Sequence, residues 1–222
     1  MSNPTALDAV VIQDGSAELH GDLLVPPGAL GLVIFAHGSG SSRFSRRNRE
    51  VAAALQSAGL GTLLLDLLTQ DEERVDNLTS EYRFDIPRLG RRVTAAADWA
   101  TAFHATAGLP LGYFGASTGA AAALIAAAAR PEVTRAVVSR GGRPDLAEQA
   151  LEHVKAPTLL IVGGDDQPVI EMNEQARRQM HAPVEMTIVP GASHLFEEPG
   201  AMEEVSRRAS EWFSRHFRAG VR

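Results

Sequence analysis

The 222-residue chain contains no cysteine. Disulfides, thiolate metal sites and a cysteine nucleophile are excluded together, and the redox compartment is left open. Long apolar runs are missing as well. The longest low-complexity stretch, GAAAALIAAAA (119–129), is well short of the roughly 20 residues needed to span a bilayer, so it reads as a buried helix and no membrane partner is expected. Nor does one sign of charge dominate. The formal net charge is −6, and the basic residues are scattered apart from Arg43, Arg46, Arg47 and Arg49, which read as the solvated start of a helix; no cationic face invites nucleic acid. The N-terminus, MSNPTALDAVVIQDG, lacks a positive start, an apolar stretch and a cleavage-like site, so a cytoplasmic location is the expectation.

What is present is an ordinary apolar content of 45% in a length that suits one domain over 1–222. Two β-rich segments come first, AVVIQDG and AELHGDLLVP, joined by a hairpin-type turn and expected as an antiparallel edge. Then the apolar runs become continuous: LVIFAHG, GTLLLDLL, PLGYFGAS, TRAVVSRGG, APTLLIVGG and VEMTIVPG, each bounded by Gly or Pro. Such runs read as strands buried on both faces. Between them lie helical patterns, as in SRRNREVAAALQSAG, where Val51, Ala54, Leu55 and Ala58 recur at three-and-four spacing. The alternation predicts an α/β fold: a mainly parallel twisted sheet with helices on both faces and chemistry at the carboxyl ends of the strands. The polar stretch from Thr69 to Asp85 reads as a solvated surface loop, and the connection from Gly142 to Lys155 has room for about one short helix, which leaves no large lid.

Gly115-Ala116-Ser117-Thr118-Gly119 fits G-x-S-x-G with a strand before it and a helix after it, the context that motif requires. A serine on so sharp a turn needs small neighbours, and the amide of Thr118 at the helix N-terminus can face developing negative charge. A hydroxyl attacks only when a base takes its proton, and the base needs a carboxylate to orient it. His194, in VPGASHLFEEPG after the last strand, has the right place for the base. The acid is one of Asp165 and Asp166, since neighbouring side chains in extended chain point opposite ways and only one can face the histidine; Asp166 is preferred, with Asp165 the alternative and Asp145 a distant third. The loop His37-Gly38-Ser39-Gly40 offers a second oxyanion donor, Ser39 N–H, with Gly40 as substitute, while His37 itself reads as a ring that braces the loop. Arg140, at the end of TRAVVSR, is a possible substrate-binding residue for a carboxylate or phosphate, and Gly40 is a second candidate contact. Glu197 and Glu198 read as decoration before the last helix.

HGSG, GASTG, GGDD and GASH, in that order, resemble the α/β-hydrolase superfamily over nearly the whole chain, and within it the small, lidless dienelactone-hydrolase-like group. The resemblance implies Ser117, Asp166 and His194 as nucleophile, acid and base, and no metal or cofactor. Its name-giving enzymes carry cysteine where this chain has Ser117, so it implies a serine carboxylic-ester hydrolase; the small lid region adds the expectation of small-molecule, short-acyl esters. Thioester cleavage and perhydrolysis would use the same residues, and a catalytically silent ligand-binding protein on this fold is the rival from another class.

Overall fold

The computed structural model describes residues 7–219, whose fifteen helical and strand segments build one eight-stranded sheet. Strands β1 (Asp8–Asp14) and β2 (Ala17–Leu24) form the antiparallel hairpin read from the sequence, and β2 pairs antiparallel with β4 (Gly61–Leu65). From there β4, β3 (Leu32–Ala36), β5 (Leu111–Ala116), β6 (Thr134–Arg140), β7 (Thr158–Gly163) and β8 (Val184–Val189) run parallel in that spatial order. The chain leaves β3 towards β4 on one side and later returns to place β5 on the other. That reversal of strand order opens a crevice at the carboxyl ends of β3 and β5.

Helices α1 (Arg46–Ser57) and α6 (Ala201–Arg218) cover one face, and α3 (Ile86–Ala102) and α4 (Thr118–Ala129) the other. Along β3 the side chains alternate between the two: Ile34 packs with Val93 and Leu124, whereas Val33 and Phe35 pack with Leu55 and Phe213. Both kinds of position are buried along β3, β4, β5 and β7, which is why they read as unbroken apolar runs; β1, on one edge, alternates, and β8, on the other edge, is largely half-buried or exposed rather than buried on both faces as its apolar run suggested. Helix α4 is apolar because it is buried on nearly every side, only Ile125, Ala128 and Ala129 being partly or wholly exposed, and its alanines let it lie close to β5. Helix α5 (Gln167–Gln179) follows β7. Among the described residues no helix is long and apolar enough to cross a membrane.

Two connections differ from expectation. Thr69–Asp85 is largely helical: α2 (Gln70–Thr79) starts with a capping box in which the Thr69 side chain accepts from Glu72 N–H and the Glu72 carboxylate accepts from Thr69 N–H. It has no apolar stripe to announce it, since Leu78 is 89% exposed. It is tied down by charge instead: Glu72 takes Arg88 and Arg92 from α3, and Asp76 takes Arg83. The second connection, Pro144–His153, is two short 3-10 turns broken at Glu148, whose φ of 48° is left-handed.

Candidate active site

Ser117 joins β5 to α4 with φ 51° and ψ −124°, a backbone state that costs a non-glycine residue of order 1–3 kcal/mol. The neighbouring chain holds it there. Its N–H donates to Arg140 O at 3.2 Å, and its carbonyl accepts from Arg143 N–H at 3.0 Å and Ala120 N–H at 3.1 Å. The motif glycines are required by contact: a Cβ on Gly119 would fall onto the carbonyl oxygens of Ala36 and His37, and one on Gly115 onto the backbone of Ala120. The loop after β3 presses on the serine from above, since a Cβ on Gly38 would lie 3.1 Å from Ser117 Cβ.

His194 and Asp166 come together from the loops after β8 and β7. Asp166 is the N-cap residue of α5, yet its carboxylate makes no capping bond and instead lies 2.6 Å from His194 Nδ1. The loops are drawn together by Asp165 N–H to Ala192 O (3.0 Å) and Gly164 N–H to Val189 O (2.8 Å), with the glycine at 163 leaving room for the carbonyls of Ala192 and Ser193. Asp165 is exposed, and Asp145 is engaged by Arg143 at 2.7 Å. An imidazole whose Nδ1–H is held by a carboxylate presents Nε2 as a proton acceptor. His194 lies beside Gly141, whose Cβ position is 3.7 Å from His194 Cε1. Among the described residues the Ser117 hydroxyl makes no hydrogen bond with the ring.

The loop after β3 is anchored from several sides. His37 is buried, its Nε2 accepting from Leu67 N–H at 3.0 Å and its Nδ1 facing Gly38 O at 2.9 Å. Burial lowers its pKa, so the ring is neutral, with Nδ1–H the donor to Gly38. Ser39 N–H donates to Thr118 Oγ1 at 3.0 Å, so the free protein already has an acceptor for that amide. Gly40, at φ 68°, lies beside Arg83, which would be 3.5 Å from a Cβ there. Farther along, Arg43 joins Asp66 and Asp22, with its own N–H to Asp66 at 2.7 Å. Among the described residues no group of three or more histidine and acidic side chains is placed to hold a metal ion.

Two contacts had no sequence signal. Glu198 accepts from Ser193 N–H at 3.0 Å, and its hydrogen bonds to Ser193 hold its carboxyl below the usual range, so it stiffens the turn that carries His194. Glu197 pairs with Arg47 at 3.4 Å. Both residues are thus engaged rather than decorative. Arg140 lies at the end of β6, in register with Ala116, and is 5% exposed.

The sequence model of the dienelactone hydrolase family matches residues 20–218. A dienelactone hydrolase from Anabaena variabilis has a solved structure that superposes with a TM-score of 0.94 at 58% identity, covering 96% of this chain and 99% of that one. Est1E from Butyrivibrio proteoclasticus shares the fold at 17% identity, with a TM-score of 0.78 and coverage of 94% and 98%. Two Mycobacterium tuberculosis proteins, provisionally named phosphoribosyl transferases, are 52% identical over 214 residues. That is 96% of this chain, which spans about half (47%) of their length.

Proposed function

The chain belongs to the dienelactone hydrolase family, and from that premise we propose that it is a serine hydrolase of small carboxylic esters, with Ser117 as nucleophile, His194 as base and Asp166 as the carboxylate that orients it. The observation that carries this reading is Ser117 at φ 51° and ψ −124° at a strand-to-helix junction, a strained state that puts a side chain at the carboxyl edge of the sheet. The Asp166–His194 contact of 2.6 Å supports the other two roles.

His194 Nε2 takes the proton of Ser117 Oγ as Oγ adds to the ester carbonyl carbon. The carbonyl oxygen becomes an oxyanion facing Thr118 N–H at the start of α4 and Ser39 N–H from the loop after β3. Because Ser39 N–H donates to Thr118 Oγ1 in the free protein, the oxyanion has to win this donor from the hydroxyl; Gly40 N–H is the substitute. As the intermediate collapses, His194 gives its proton to the leaving alkoxide. Water, deprotonated by His194, then cleaves the acyl-enzyme, and Ser117 recovers its proton. The short turns of Pro144–His153 leave the site without a bulky cover, which favours short acyl groups. The transferase name of the longer relatives does not enter this reading, since these residues serve acyl transfer.

The test is labelling with a fluorophosphonate beside hydrolysis of p-nitrophenyl acetate. The wild-type protein is expected to label at Ser117 and to hydrolyse the ester, and Ser117→Ala to do neither. Folded wild-type protein that does neither would sink the enzyme reading and leave a ligand-binding protein on this fold.

A further inference from the structure

At the strand end beside Ser117 begins a side chain whose charge the reaction above does not use. Arg140 is the residue whose carbonyl receives Ser117 N–H, and its side chain is 5% exposed. Among the described residues none of its N–H groups meets an acceptor and no carboxylate pairs with it; Nε is fully enclosed, while the Nη atoms keep some contact with solvent. Its guanidinium carbon lies 5.8 Å from the ring centre of Phe196, two residues beyond His194. Burial, and then the nearby cation of Arg47, bring its pKa down to about 10, so it is still charged at neutral pH.

The acidic side chains nearby are committed elsewhere. Asp166 holds His194, Glu198 holds Ser193 N–H, Glu197 pairs with Arg47 and Asp145 with Arg143. Arg47, whose Nε is likewise enclosed without a partner, adds a second cation to the group. A buried guanidinium left without a counter-charge is costly for a fold to keep, and its planar fork matches the paired oxygens of a carboxylate or phosphate.

We propose that Arg140 is an anion subsite of the Ser117 centre, so that the preferred ester carries a carboxylate or phosphate group on the substituent lying towards Phe196. This rests on the serine-hydrolase reading. Glu50 and Glu203 line the cavity beside Arg47 and Phe196 and disfavour an anion arriving from outside, so the approach proposed for the anion is from the Ser117 side.

The experiment compares matched p-nitrophenyl esters: hydrogen succinate against methyl succinate, and 3-phosphonopropionate against its dimethyl ester. In the wild type, kcat/KM for the charged member of at least one pair is expected to exceed its neutral partner by about tenfold or more, the pair with the larger ratio naming the group. In Arg140→Gln that ratio falls to near one, and in Arg140→Lys, which keeps the charge without the fork, it lies between; the lysine variant also serves if the glutamine variant does not fold. Equal rates within both wild-type pairs, or an Arg140→Gln that slows both members alike, overturn the subsite. A readout independent of turnover is the thermal midpoint of Ser117→Ala protein in succinate or inorganic phosphate. It is expected to rise with one of them, and not in Ser117→Ala/Arg140→Gln. If no ester is hydrolysed but this shift appears, the hydrolase reading fails and the anion site stands; if the shift is absent or equal in both variants, the anion site fails.

Discussion

Two arginines are buried among the described residues, and the molecule treats them in opposite ways. Arg92, on α3, is 3% exposed and has its charge paired: Nη1 and Nη2 meet the two carboxylate oxygens of Glu72 at 2.6 and 2.7 Å, Nη1 also donates to Leu67 O at 2.6 Å, and Nε, which makes no hydrogen bond, lies 3.6 Å from Asp14. Arg140, on β6 beside the nucleophile candidate, is 5% exposed and has no acceptor. The first pins α2 and α3 to the end of β4. The second is held in place without being satisfied. A charge completed within the fold serves the fold; on the proposed reading, the charge left incomplete near Ser117 serves whatever binds there.

The largest effect that sharpens this contrast belongs to the site. Asp166→Asn should lower kcat by about 10⁴-fold, the scale seen when the orienting carboxylate of such a triad becomes an amide, with the thermal midpoint little changed. A comparable loss in midpoint would make Asp166 a structural residue instead. Next comes stability at the other pole. Arg92→Met leaves Glu72 without its bidentate partner and should lower the unfolding free energy by about 3 kcal/mol in a urea titration, while turnover per folded molecule holds. Arg140→Met, which removes an uncompensated cation, should leave stability unchanged or raise it. If both variants destabilise alike, the contrast collapses.

The dependence on pH is a smaller effect. Burial works against the charged form of Glu72, but the hydrogen bonds from Arg92 and Thr69 outweigh it and hold the carboxyl at about 2. Its folded pKa is thus below the unfolded value, so its contribution is present above about pH 4.5 and is lost as pH falls towards 2. The Arg92→Met protein should show a flatter decline over that window. His37 acts at milder acidity. Its folded pKa is also lowered, so its contribution is complete above the ordinary value of 6.5 and is lost as pH falls below it. His37→Asn should flatten that part of the unfolding profile. The smallest effect is expected at Thr118: Thr118→Val removes the acceptor for Ser39 N–H and should cost about 1 kcal/mol of stability, with a few-fold change in kcat. A kcat loss on the scale of Asp166→Asn would mean that the hydroxyl itself takes part in the chemistry.

Much of the fold was legible because burial on both sheet faces leaves continuous apolar runs such as LVIFA and TLLIV, and because α6 shows a three-and-four spacing in Val205, Ala209, Trp212 and Phe213. Helix α2 was not legible, since what holds it is a set of ion pairs to residues some 7–20 positions away rather than an apolar stripe. At the site, the order of GASTG, GGDD and GASH singled out Ser117 and His194 but left Asp165 and Asp166 both open. The contact of Asp166 with His194, across 28 positions, favours one of them.

The sequence by itself determined the α/β architecture and which side chains lie at the carboxyl edge of the sheet, because apolar periodicity and a glycine-flanked turn are local properties. Only the tertiary structure decided how those side chains are paired. It gave Arg92 a carboxylate and Arg140 none, handed Ser39 N–H to the Thr118 hydroxyl, and placed Glu198 under the turn that carries His194. Hydrogen bonds and counter-charges depend on distances of about 3 Å between segments far apart in the chain, and neither composition nor spacing along the chain specifies such distances.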